Sequence, residues 1–236
     1  MPTIASAGPI VARDGALWMH TPDGFLTPLV AGAMWLASIV VLAYAVRRTN
    51  HALDERAVPL MGVTAAFIFA AQMVNFPVFP GTSGHLLGGV LAAVLLGPWA
   101  GTLVMTSVVA VQALLFQDGG LLVMGANIFN MGIVGTLGGY AVYRAVAGLL
   151  GGEARGRYPA AGIAAWLAVM GGALAITLQL AASGATDLAV ALPVILGLHA
   201  LIGLGEAAIT VAAIAFIANV RGELLDLRPG VAEPRP

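Results

Sequence analysis

Two of the chain's four histidines stand where they could hold a metal ion. His20 follows Met19 directly in "LWMHTPDGFLTP" (17–28), and His85 lies in the Gly- and Pro-rich stretch "NFPVFPGTSGHLLGG" (75–89). If Met19 carries a free amine, that amine and the His20 backbone nitrogen close a five-membered ring on a metal. The His20 backbone nitrogen and Nδ1 close a six-membered ring. These three nitrogens lie near one plane once the backbone nitrogen has lost its proton, and a fourth from His85 completes a planar N4 set. Such a set favours Ni(II) or Cu(II), admits Co(II), and suits tetrahedral zinc badly. Taken singly, His20 has a plainer reading as a polar residue at a membrane mouth. The chain has no Cys, so thiolate ligands and disulfides are excluded.

The elements that must position these histidines are apolar helices. Of 236 residues, 60% are hydrophobic and 9% charged, and the mean hydropathy is +0.96. Soluble domains carry about 25% charged residues, so lipid is the expected solvent. Runs long enough for helices fall at 28–46, 58–74, 85–97, 98–117, 122–148, 159–182 and 189–219. The expected fold is therefore all-α, a polytopic membrane protein of about seven transmembrane helices. Gly97-Pro98 separates the third segment from the fourth, and reading those two as one kinked arm gives six spans.

All ten cationic side chains are Arg. Arg47, Arg48 and Arg56 follow the first segment; Arg144, Arg155 and Arg157 flank the turn between the fifth and sixth; Arg221, Arg228 and Arg235 follow the seventh. With seven spans these nine share one side, while the loops 75–85, 117–121 and 183–188 contain none. Arginine-rich loops stay cytoplasmic, which places the N-terminus outside and the C-terminus inside the plasma (inner) membrane. Both candidate histidines then face outward, and His51 sits among the arginines as a solvated loop residue.

Three regions follow. Residues 1–18 are an extension whose apolar runs are broken by Pro, Ser, Gly, Arg13 and Asp14, so they lack the unbroken core of a signal peptide. Residues 19–220 form the membrane domain, and 221–236 a cytoplasmic tail. No phosphate-binding loop and no basic stripe for nucleic acid is present in the sequence.

"MHTPDGFLTP" (19–28) and "NFPVFPGTSGHLLGG" (75–89) resemble the N-terminal and second-loop motifs of the CbiM/NikM family, and "LLFQDGGLLVMGANIFNMG" (114–132) and "HALIGLGEAAIT" (199–210) resemble its later segments. These are the nickel- and cobalt-binding S components of energy-coupling factor transporters. The resemblance covers about residues 19–220. It implies metal ligation by the Met19 amine, by His20 through backbone and ring, and by His85. It also implies partners: a transmembrane coupling subunit, two ATP-binding cassette ATPases and a small accessory membrane protein. Nickel or cobalt would be the transported substrate and not a cofactor. The sequence departs from the pattern in its first eighteen residues, which turn the Met19 amine into an amide; a true start at Met19 would remove the conflict.

Other residues carry competing readings. Glu206, in the last segment, is either satisfied within the bundle or couples to the site. His199, seven positions earlier, shares its helix face. Asp23 and Asp118 are candidate acceptors for a ligating imidazole, and Asp23 in "PDG" is equally a turn residue. Asn127 and Asn130 suit contacts with neighbouring helices. Ala33 and Ala37 make a small-xxx-small pair that could dock the coupling subunit. "GTSG" (81–84) fits an intramembrane serine protease of the rhomboid type, with Ser83 as nucleophile and His199 as base. A stand-alone divalent metal permease is the remaining alternative.

Overall fold

The computed structural model describes residues 20–52, 57–74, 76–79 and 82–225. Met19 and the stretches 1–18 and 226–236 lie outside it, as do the side chains of His51 and Ser83.

The seven expected segments are helical. They are α1 (Pro28–Ala52), α2 (Ala57–Gln72), α3 (Gly89–Leu96), α4 (Pro98–Leu115), a continuous rod from Met124 to Leu149, α7 (Glu153–Ala182) and α8 (Leu188–Val220). The rod comprises α5 (Met124–Asn127), a π-helical stretch (Ile128–Gly138) and α6 (Gly139–Leu149). A short antiparallel hairpin, β1 (Phe76–Phe79) and β2 (Thr82–Gly84), precedes α3, and one 3-10 turn (Gly222–Leu225) follows α8. Helices α1, α4, α7 and α8 are long and apolar enough to cross a membrane. The chain is a multi-pass membrane protein.

The third segment differs from the expectation. It becomes helical at Gly89, not at residue 85, and its eight residues rise only about 12 Å. All eight are buried, with α2, α4, α6, α7, α8 and the π stretch around them. Residues 85–88 ahead of it are non-helical and mostly buried. Gly88 turns the chain with φ +81°, a left-handed conformation that a side chain would strain. At the other end Gly97, also at φ +81°, breaks α3 from α4, and Pro98 opens α4 in the first turn, where its missing N–H is not needed.

The two ends of the bundle are unlike. At one end Thr27 N–H donates to Ser183 Oγ at 3.1 Å, and Leu26, Ala31, Val123, Ala126 and Leu180 form a small apolar cluster. Asp187 caps α8 there, accepting from Ala189 N–H at 2.7 Å. Helix α7 runs from that end for about 45 Å. At the far end Leu225 joins the main core with Tyr143, Ala147 and Ala160. The described arginines belong to this far end: Arg47 and Arg48 late in α1, Arg144, Arg155 and Arg157 about the α6–α7 turn, and Arg221 closing α8. Glu153 pairs with Arg144 at 3.5 Å and with Arg157 at 3.6 Å, partly exposed contacts at the surface of that end.

Helix α3 lies unusually close to the π stretch. A Cβ on Gly89 would sit 2.7 Å from the Gly135 carbonyl carbon, which is backbone and cannot swing aside. By contrast, a Cβ on Gly62 in α2 meets nothing within 4 Å. Gly89→Ala should therefore lower the thermal midpoint of the purified protein, with a cost of about 1–3 kcal/mol. Gly62→Ala should leave it unchanged or raise it, since Ala is the better helix former by about 1 kcal/mol. Differential scanning fluorimetry in detergent reads both.

Candidate metal site

His20 and His85, 65 residues apart in sequence, meet at the end of the bundle opposite the described arginines. Their rings are T-shaped, with centroids 5.5 Å apart, and their side chains are 1% and 5% exposed. Two chain segments must be held firmly to bring them together.

The segment carrying His20 is clasped by the chain ahead of α5. Thr21 N–H donates to Asn127 Oδ1 at 3.0 Å, and Asn127 Nδ2 donates back to the Thr21 carbonyl at 3.0 Å. Gly120 N–H donates to the same carbonyl at 2.9 Å. The Asp23 carboxylate accepts from the N–H groups of Leu121, Leu122 and Val123 at 3.1, 2.9 and 3.2 Å. This approach needs a glycine, because a Cβ on Gly120 would lie 2.2 Å from Asp23 Oδ1. Asp23 thus orients no imidazole in the described structure; it ties the loop at the start of α5 to the His20 segment. Asn127 likewise grips backbone, while Asn130 meets the helix contact expected of it, an amide pair with Gln179 of α7 at 2.7 and 3.0 Å.

Asp118 is the carboxylate beside an imidazole. Its Oδ1 lies 3.0 Å from His20 Nδ1, out of line for a well-formed hydrogen bond. The His20 ring holds the Asp118 carboxyl below the usual carboxylate range, against the opposing effect of partial burial.

The segment carrying His85 is held from three sides. His85 Nδ1 donates to the Leu86 carbonyl at 2.7 Å. That bond places the proton on Nδ1 and leaves Nε2 with its lone pair, buried and without a partner. The N–H groups of Leu87 and Gly88 donate to Glu206 at 2.5 and 2.8 Å. Gln72 Nε2 donates to the Leu87 carbonyl at 2.7 Å, and Gln112 Nε2 donates to Gln72 Oε1 at 2.7 Å. Both His85 and His199 line a cavity of about 70 Å³ together with Thr21, Asn127 and Asn130. His199 Nδ1 is bonded to the Ile195 carbonyl of its own helix at 2.8 Å.

Among the described residues, no three His, Cys, Asp or Glu side chains gather into a metal cage. The pair of imidazoles is by itself an incomplete side-chain set for a metal ion. Met19, the residue that would supply the amine, lies outside the described residues. The glutamines were not anticipated from the sequence; their signal was an amide in an otherwise apolar run, as in "FAAQMV" and "VAVQALL".

The model of the family described as cobalt uptake substrate-specific transmembrane region, CbiM, matches residues 20–224. The chain belongs to the CbiM family. A putative metal transport protein of Haloquadratum walsbyi is 43% identical over 209 residues, which is 88% of this chain and 93% of that one. The fused nickel transport protein NikMN of Rhodobacter capsulatus is 33% identical over 92% of this chain and 66% of its own length. A crystal structure described as a transition metal transporter superposes with a TM-score of 0.77 at 33% identity, covering 86% of this chain and 93% of that one. CbiM proteins are substrate-specific membrane components of cobalt and nickel uptake and not enzymes, so the protease reading of Ser83 and His199 is set aside.

Asp23→Ala would leave three N–H groups ahead of α5 without their acceptor. We expect a loss of about 1 kcal/mol, read as faster amide exchange at Leu121, Leu122 and Val123 and unchanged exchange within α4.

Proposed function

We propose that this CbiM protein is the metal-capturing subunit of an ATP-driven energy-coupling factor transporter. It takes Ni(II) or Co(II) at the end of the bundle opposite the described arginines. The observation that carries this reading is the meeting of His20 and His85, with His85 Nε2 buried and without a hydrogen-bond partner. The ligands are the Met19 amine, the His20 backbone nitrogen and ring, and His85 Nε2. His20 Nδ1 exchanges its contact with Asp118 for the metal on loading. Such a nitrogen set suits the metals named in the relatives and explains why side chains alone fall short of a cage.

The free amine requires that the functional chain begin at Met19, with residues 1–18 absent. Membrane residues 19–220 then form the S component. By the asymmetry of the arginines, the metal end faces outward and the 221–236 tail lies in the cytoplasm. Energy comes from partner subunits: two ATPases and a transmembrane coupling protein, with a small accessory membrane protein beside them. The exposed Ala33 on α1 and the neighbouring Ala37 offer a flat docking strip for the coupling protein.

A chain beginning at Met19 should bind Ni(II) or Co(II) with release of protons, seen in calorimetry as a heat that varies with the buffer. His20→Ala and His85→Ala should each weaken binding by more than about 100-fold, or about 2.7 kcal/mol. Acetylating the Met19 amine should do the same. Full affinity in any of the three refutes the N4 set, and N-terminal sequencing of protein from its native membrane checks the start.

A further inference from the structure

The metal reading does not use Glu206, although it is the carboxylate most deeply placed in α8 and is 1% exposed. A carboxylate in a membrane helix is expensive to keep, so its partners should explain it. Among the described residues it makes no ion pair; both its oxygens accept from consecutive backbone amides, Leu87 and Gly88. These amides lie two and three residues beyond His85. They converge on one carboxylate, and Gly88 then turns the chain in a left-handed conformation into α3.

The opposite edge of the same segment is held as well. The Leu87 carbonyl accepts from Gln72, and the Leu86 carbonyl accepts from His85 itself. A Cβ on Gly84 would lie 2.8 Å from Ile202, four residues before Glu206 on α8, so the segment lies tight against that helix. The His85 ring has its Nδ1 spent on a carbonyl whose position depends on the next two amides. Release of those amides would let the Leu86 carbonyl rotate and the ring turn with it.

We propose that Glu206 is a positioning residue for the metal site: by gripping the Leu87 and Gly88 amides it aims His85 Nε2 toward His20. The proposal rests on reading His20 and His85 as ligands. Only a carboxylate fits the task fully. An amide at this position has one acceptor oxygen, and its NH2 group would face the second backbone N–H. The grip also makes α8, with α2, a helix that bears directly on the His85 segment.

The test uses the full membrane chain beginning at Met19, purified in detergent, with Ni(II) as the probe. Glu206→Gln should bind Ni(II) about 10–100-fold more weakly, the usual effect of losing an outer support of a ligand. It should also shift the ligand-field absorption band of the bound ion, because His85 then approaches from a different direction. Glu206→Asp keeps both oxygens but draws them back by one methylene; it serves where the Gln variant does not fold, and the same band shift with weaker binding is expected. Wild-type affinity and an unshifted band in a folded variant overturn the proposal. So does weaker binding with an unshifted band, which would mark a merely structural role. His85→Ala is the control that separates the two readings: if it binds Ni(II) like the wild type, the ligand assignment fails and the positioning role fails with it. If His85→Ala loses binding while both Glu206 variants keep wild-type affinity and band, only the positioning role fails.

Discussion

A stretch of backbone that is not helical is buried inside this bundle, and every one of its polar groups must find a partner where water is scarce. That constraint organises the structure around residues 85–88. A helix satisfies its own N–H and C=O groups; an irregular segment in an apolar bundle cannot. The partners come from three different helices: Gln72 from α2, Gln112 behind it from α4, and Glu206 from α8. These are polar side chains in helices that are otherwise apolar, and the buried segment accounts for their presence. In return, the segment stays non-helical up to Gly89, leaving α3 too short to span the bilayer but fully enclosed.

The His20 segment meets the same demand more cheaply, near the end of the bundle. Its backbone is met by one amide side chain and one backbone N–H, and its own carboxylate reaches across to the loop ahead of α5. Asn127 reads the Thr21 peptide on both sides, and Asp23 answers three N–H groups ahead of α5. The two clasped segments are thus tied to different helices, the first to α5 and the second to α2 and α8. Their side chains meet at the site through the pair of imidazoles. The small cluster of Leu26, Val123 and Leu180 seals this end, and the larger core around α3 fills the rest.

The number and place of the helices were legible in the sequence because long apolar runs are separated by Gly, Pro and charged residues. The start of α3 was not. "HLLGGVLAAVLL" is apolar throughout, and periodicity cannot divide an extended buried segment from a buried helix. The histidine pair could be picked out because His is rare here and both lie in Gly- and Pro-rich stretches. What holds them was hidden, since Glu206 and Leu87 are 119 residues apart and Asn127 and Thr21 are 106 apart. No local pattern reports such pairings. Asp23 shows the limit well: "PDG" is a turn by composition, and the carboxylate nonetheless serves a distant loop. The π-helical stretch was likewise unannounced, as glycines at 132, 135 and 138 suit either helix type.

Helices α7 and α8, 30 and 33 residues long, are joined by a five-residue turn and packed along their lengths. At 1.5 Å per residue they measure about 45 and 50 Å, well beyond a hydrocarbon layer of about 30 Å. The pair must lean steeply or stand proud of the lipid, and the balance between the two depends on bilayer thickness. Lipid composition thus becomes a lever on the attitude of the whole molecule, applied through a hairpin that carries Glu206 on one arm.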